Sequence, residues 1–262
     1  MVAEATGHMM KIFRIVLPPA LTLVVVVAAW QLLILVFSIP PYILPGPLVV
    51  AAAISKHLDS LLHAAALTAQ AAIAGFVLSL LVGFTTAVMF SQSEWIERSL
   101  YPYAIFLQTV PIVAVAPLIV LWIGHGLTGV IAVSFIISLF PIVANTTAGL
   151  TSVAPPLRDL FALHDASRWQ LLWKLQVPHA VPAMLTGARI SCGLSVIGAI
   201  VGEFFTGYGT QDFGLGYWIT QTNVHVKTPY LFACVLFSTG LGLLFFGVVS
   251  VLNRWVLRRW AA

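Results

Sequence analysis

Charge is what this sequence has least of. Of 262 residues, twelve are Lys or Arg and eight are Asp or Glu, so 8% are charged against 60% hydrophobic, with a mean hydropathy of +1.03. Soluble domains carry about 25% charged residues, and a water-soluble globule is excluded. Disorder is excluded for the opposite reason, because so apolar a chain does not stay solvated. Two cysteines without metal-ligand spacing make no disulfide framework. The seven histidines include no H-x-x-x-H or similar ligand pair on one helix, which argues against a metal enzyme. Titratable groups do not converge on a catalytic set, so no catalytic residue and no cofactor are expected on this chain. Alternating ten-residue strands are missing, which argues against a transmembrane barrel. The net charge of +4 is no pointer to nucleic acid here, since basic residues in a membrane chain set orientation. What remains is an integral membrane protein.

A bilayer core takes roughly 20 apolar residues per helix. Six stretches reach that length, at 15–37, 64–90, 101–123, 127–150, 181–205 and 230–252. They predict an all-α protein with six transmembrane helices in one domain over 1–262. Lys11 and Arg14 precede the first stretch as in a signal peptide, but its run exceeds the usual 7–15 apolar residues and no small-x-small site follows. It is read as a retained span.

Basic residues fix the expected topology. Lys11, Arg14, Arg98, Arg158, Arg168, Lys174, Arg254, Arg258 and Arg259 lie on the side of the N-terminus, and only Lys56 and Lys227 lie opposite. The richer side is cytoplasmic by the positive-inside rule, which places both termini there in a multi-pass cell-membrane protein. Tyr101, Tyr103, Trp122, Tyr230, Trp255 and Trp260 fit an aromatic belt at the interfaces.

Long connections are expected at 38–63, 151–180 and 206–229. No internal repeat is visible, which weakens an inverted-repeat carrier, and no soluble segment is long enough for an ATPase. The inner segment 151–180 reads as two short amphipathic helices. Pro155 and Pro156 suit the first start, and a second apolar set of Leu171, Leu172, Trp173 and Leu175 precedes Pro178, expected to stop the helix. Arg158, Asp159, Arg168 and Lys174 then project outward. Such a pair either lies in the membrane interface or fills a groove on a cytosolic partner.

This segment resembles the coupling motif of binding-protein-dependent ABC importer permeases. In that motif an acidic-small-small triplet is followed after three residues by Gly, and nine residues later by apolar-x-apolar-Pro. Asp159-Leu160-Phe161 falls at the triplet, Asp165 at the Gly, and Leu175-Gln176-Val177-Pro178 at the end. Gly is favoured there because the turn calls for positive φ, which Asp tolerates better than most residues. Gln108-Thr109-Val110-Pro111, Phe140-Pro141 with Asn145-Thr146, Gly187-Ala188-Arg189-Ile190, and Gly202-Glu203 before Gly214-Leu215-Gly216-Tyr217 resemble the nitrate/sulfonate/taurine-type branch. The resemblance implies a type I permease fold and a permease dimer. It implies ABC ATPase subunits, holding ATP and Mg, docked on the inner segment through Arg158, Asp159, Leu160, Phe161, Asp165, Arg168 and Pro178. An external solute-binding protein would deliver a small anion or a vitamin or pyrimidine precursor.

Arg189 and Glu203 are the charges inside the predicted spans. Fourteen residues put them about 21 Å apart along a helix, so they cannot pair there. Arg189 is expected to snorkel to the headgroups. Glu203 either binds backbone N–H groups of the Gly-rich loop or serves a gate. Gln108, Thr109, Asn145, Ser191, Ser195 and Glu203 are the pathway candidates. Pro111 predicts a locally broken helix that would present backbone to a pore. The competing reading of the hydroxyls is bonding to their own helix carbonyls. A self-sufficient secondary transporter or channel is the alternative function.

Overall fold

The structure is a computed structural model that describes residues 2–206 and 213–260. Its regular elements are all helical: α1 (Val2–Phe37), α2 (Pro47–Lys56), α3 (Leu58–Gln92), α4 (Glu94–Thr109), α5 (Ile112–Ile123), α6 (Leu127–Thr151), α7 (Pro155–Leu163), α8 (Arg168–Leu171), α9 (Val177–Glu203), α10 (Leu215–Val224) and α11 (Thr228–Trp260). Among the described residues, five helical runs are long and apolar enough to cross a membrane: Leu17–Phe37, Leu58–Gln92, Leu127–Thr151, Arg168–Glu203 and Thr228–Arg259. They match five of the six predicted stretches. The stretch at 101–123 is divided between α4 and α5, because Pro111 has no N–H and holds the residue before it extended. Val110 has ψ 124° and Pro111 ψ 110°. Of the expected segment 206–229, residues 207–212 lie outside the described residues, as do the side chains of Lys11, Arg14 and Trp260.

Pro178 does not stop a helix. It stands in the first turn of α9, and a π-helical turn over Leu172–Gln176 carries the chain from α8 into α9 without interruption. Proline lacks a donor and crowds the carbonyl four residues back. Widening the preceding turn to i→i+5 bonding relieves both, and the Val177 N–H indeed donates to the Leu172 carbonyl.

Two sets of residues pack among themselves. In the first, Met1–Leu58 with Thr222–Ala233, the connection expected at 38–63 holds α2, started by Gly46 and Pro47. Trp30 stacks on Phe232 at 5.8 Å between centroids and His57 on Tyr230 at 4.4 Å, and the Thr228 hydroxyl donates to the Tyr42 carbonyl at 2.7 Å.

In the second set, Asp59–Gln221 with Cys234–Ala262, α6 and α9 form the principal seam. A Cβ on Gly198 would stand 2.7 Å from the Ser134 Cα, so only glycine lets the backbones approach this closely. Ser134 Oγ donates to the Ser195 carbonyl (2.8 Å) and Ser191 Oγ to the Ser138 carbonyl (2.6 Å). Ser79 of α3 joins through Ser138 Oγ at 2.6 Å. Interhelical bonds of this kind contribute roughly 0.6 kcal/mol each in a membrane; their larger effect is to fix register. Ala71, Ala72, Val130, Val196 and Ala199 fill the space beside them, and the Asn253 amide ties α11 to the Leu185 carbonyl at 2.7 Å.

Candidate functional site

A spur between α6 and α9 gathers the first group of candidates. No residue of α7 is buried; Leu160 is 49% exposed and Leu163 81%. Asp159 and Arg168 are exposed and Phe161 is half-buried. The spur ends in a Schellman turn: Ala166 N–H donates to the Phe161 carbonyl and Asp165 N–H to the Ala162 carbonyl, both at 3.1 Å. Asp165 occupies the left-handed position of that turn, with φ +49°, as the motif spacing predicts. Ser167 then opens α8 with a capping box, its Oγ accepting from Gln170 N–H while Gln170 Oε1 accepts from Ser167 N–H at 2.8 Å.

Arg158 departs from the expected outward projection. It is half-buried, and its Nη2 donates to the Thr151 carbonyl at 2.7 Å. The last carbonyls of α6 have no partner within the helix, and the negative end of its dipole attracts the guanidinium. Arg158 therefore binds the spur to α6. Leu172 does the same from the other side, buried with Ala87, Leu150 and Ala180, while Trp169 remains 69% exposed.

The second group lies at the C-terminus of α9. Glu203 is 5% exposed. Its Oε2 accepts from Gly216 N–H at 2.7 Å and lies 3.0 Å from the Thr68 hydroxyl, which itself accepts from Leu215 N–H at 2.9 Å. The loop-binding reading of Glu203 describes these contacts. Gly216 has to be glycine: an added Cβ would meet the Ile200 carbonyl and stand 2.8 Å from Glu203 Cβ. Beside the carboxylate opens a cavity of about 430 Å³, lined among others by Gln70, Leu127, Phe213 and Tyr217.

The remaining candidates are dispersed. Gln108 and Thr109 are exposed at the end of α4, just before the break, with Thr109 Oγ1 donating to the Phe106 carbonyl at 2.8 Å. Asn145 donates to the Pro141 carbonyl at 2.8 Å beside Gly187. Ser191 and Ser195 are fully buried in the α6–α9 seam. The structure thus brings the docking candidates Arg158, Asp159, Leu160, Phe161, Asp165 and Arg168 to one spur, leaves Pro178 in the first turn of α9, and leaves the pathway candidates in four places.

Three groups that hold these elements in place escaped the sequence reading. The Ser167–Gln170 capping box carries an S-x-x-Q signal that marks it. Gly216 as backbone donor had only its Gly-rich context. Thr68 lies 135 residues from Glu203, and no local pattern links them.

Comparison with known proteins agrees with this architecture. Residues 75–258 match the family model described as binding-protein-dependent transport system inner membrane component. The formylaminopyrimidine transport permease protein ThiX of Halalkalibacterium halodurans is 33% identical over 92% of this chain and 95% of its own. The riboflavin transport system permease protein RibX of Chloroflexus aurantiacus is 34% identical over 92% of this chain and 89% of its own. The putative aliphatic sulfonates transport permease protein SsuC of Bacillus subtilis is 28% identical over 89% and 84%. With its long apolar helices and this match over most of its length, the chain belongs to the family of inner-membrane permease components of binding-protein-dependent ABC importers.

Proposed function

We propose that two copies of this chain form the conducting core of an ATP-driven importer, with both termini cytoplasmic. Each α7 spur seats in a groove on a separate ATPase subunit, which holds the ATP and Mg. Leu160, Phe161 and Asp159 make the contact, with Arg168 beside them. Arg158, Asp165 and Pro178 aim the spur. ATP binding draws the two spurs together and swings the helices from inward- to outward-facing, and an external binding protein supplies the solute. That solute belongs to the classes named for the relatives, a pyrimidine or vitamin precursor or a small oxyanion. Gln108 and Thr109, at the break in the α4–α5 chain, present backbone to the pathway, and Glu203 stands at its outer end.

One observation supports the docking reading above all: α7 is tied to α6 through Arg158, and the chain after it is anchored by the buried Leu172, yet α7 presents unburied leucines. An interfacial helix needs no such anchoring, whereas a lever does. The test is Leu160→Asp in the permease–ATPase–binding-protein complex in proteoliposomes. A charge seated in an apolar groove costs on the order of 1–3 kcal/mol, so solute-stimulated ATP hydrolysis falls about tenfold or more while the thermal stability of the exposed-site variant is unchanged. Full stimulation in the variant, or uptake by the chain alone in vesicles, overturns the proposal.

A further inference from the structure

We infer that a second cavity, where the end of α3, the start of α4, the end of α6 and the start of α7 meet, holds a phospholipid headgroup bearing a primary ammonium. Arg98 and Arg158 take its phosphate and Glu97 its ammonium. The cavity measures about 600 Å³, inside the range of built ligand sites, and shares no lining residue with the cavity beside Glu203. Its charged lining, among the described residues, is Glu97, Arg98 and Arg158, joined by the polar Ser91, Ser93 and Tyr101.

The sequence sets the height of this cavity in the membrane. From Ala64 to Ser93 the chain carries no charged residue, and Glu94, Glu97 and Arg98 follow at once. A helix needs about 20 residues to cross the hydrocarbon, so the return of charge at the α3–α4 corner marks the headgroup level. Aromatic residues agree: Trp95 is 77% exposed and Tyr103 68%, while Tyr101 packs its ring against Phe90 at 6.4 Å. Amphipathic rings of this kind sit at headgroup depth. Leu100 and Phe106 of α4 are exposed as well and offer acyl chains an apolar surface beside the cavity, which a free phosphate would not use.

The charges choose the headgroup. Arginine presents a planar fork that matches phosphate oxygens. Arg158 makes one described hydrogen bond, from Nη2 to the Thr151 carbonyl, and its Nε is buried with no partner among the described residues. A cation so poorly solvated stabilises a neighbouring anion more than it would in water. A purely anionic headgroup would set Glu97 against like charge, whereas an ammonium on the same headgroup offsets it. Choline carries the positive charge without an N–H, so it cannot donate to the carboxylate.

The purified full-length permease is incubated with phosphatidylethanolamine, its N-methyl and N,N-dimethyl derivatives, phosphatidylcholine and phosphatidylglycerol, all with the same acyl chains. Native mass spectrometry counts the lipid retained. One phosphatidylethanolamine per chain is expected, with affinity falling along the methyl series and at least tenfold lower for phosphatidylcholine and phosphatidylglycerol. Glu97→Gln should weaken phosphatidylethanolamine at least tenfold and level the methyl series, and Arg98→Gln should weaken all five lipids, each at wild-type thermal stability. Equal affinity for phosphatidylethanolamine and phosphatidylcholine in the wild type overturns the inference, as does tighter binding of phosphatidylglycerol. An unchanged methyl series in Glu97→Gln, or undiminished binding in Arg98→Gln, does the same. The methyl series on the wild type needs no variant and decides the matter if either variant misfolds. Soluble O-phosphoethanolamine tests the source: displacement of the lipid at comparable concentration assigns the cavity to a free phosphate ester and overturns the lipid. No ATPase or binding protein takes part, so failure here leaves the importer proposal standing.

Discussion

Replacing Asp165 with valine tests how much of the spur depends on one backbone angle. Asp165 sits at φ +49°, where a typical L-residue loses roughly 1–2 kcal/mol and Asp, with its short polar side chain, loses less. A β-branched residue is a genuine outlier there. Asp165→Val either bears that strain or leaves the turn, giving up the Ala166–Phe161 and Asp165–Ala162 hydrogen bonds, each worth about 1 kcal/mol. Both routes destabilise the turn by about 2 kcal/mol, or roughly 30-fold in the equilibrium between closed and open turn at 1.36 kcal/mol per decade. Hydrogen exchange on the permease alone reads this directly, with no partner required. Protection of the Ala166 amide should fall roughly 30-fold in Asp165→Val and hold or rise in Asp165→Gly. In the full complex, solute-stimulated ATP hydrolysis should fall in the valine variant and survive in the glycine variant. Wild-type protection at Ala166 in the valine variant would refute the argument, and so would an equal loss in both variants.

Other expectations follow from the packing. Gly198→Val drives a branched side chain into the Ser134 backbone and should cost about 1–3 kcal/mol as overpacking, seen as a lowered melting temperature of the purified permease. Thr68→Val leaves Leu215 N–H without its acceptor and should cost about 1–3 kcal/mol, while Thr68→Ser stays near wild type in the same melt. Cys192 and Cys234 are fully buried, so a maleimide should label neither until denaturant is added. With both cysteines removed, Lys227→Cys should react with an impermeant reagent only from outside intact cells, and Arg254→Cys only in inverted vesicles.

Hydropathy located the long helices because a lipid-facing helix has no alternative way to satisfy its backbone. The break at Val110–Pro111 and the left-handed turn at Asp165 were equally readable, since each follows from the steric rules of one or two residues. Pro178 was not. Its missing donor stops an α-helix, but the neighbouring turn is free to widen, and only the tertiary anchoring of Leu172 among Ala87, Leu150 and Ala180 makes that widening worthwhile. Arg158 misled for a related reason, because an arginine near a helix end is as ready to cap carbonyls as to reach a partner. For Glu203 the sequence left loop binding and gating open; the structure supplies the loop contacts, but Thr68 comes from a helix 135 residues away, a contact no spacing rule records.

The path of force through the molecule then follows from continuity rather than from any chain of contacts. From Arg168 to Glu203 the backbone is one helical run of 36 residues, about 54 Å at 1.5 Å per residue. It begins beside the residues proposed to dock and ends at the carboxylate that holds Gly216. The serine-bonded seam with α6 stiffens its middle, so displacement of the spur has two outlets: bending at the π turn, or tilting of the whole rod. Pro178→Ala restores a donor and removes the steric need for the wide turn. If the π turn is a hinge that absorbs motion, the alanine variant should transmit better, with more solute uptake per ATP hydrolysed. If the wide turn serves instead to aim α7, the same variant rotates the spur against its groove and coupling falls. The half-buried Arg158 and the buried Leu172 favour the second outcome, because both fix the spur's direction relative to α6 and α9. Uptake per ATP at or above the wild-type ratio in Pro178→Ala would reverse that conclusion.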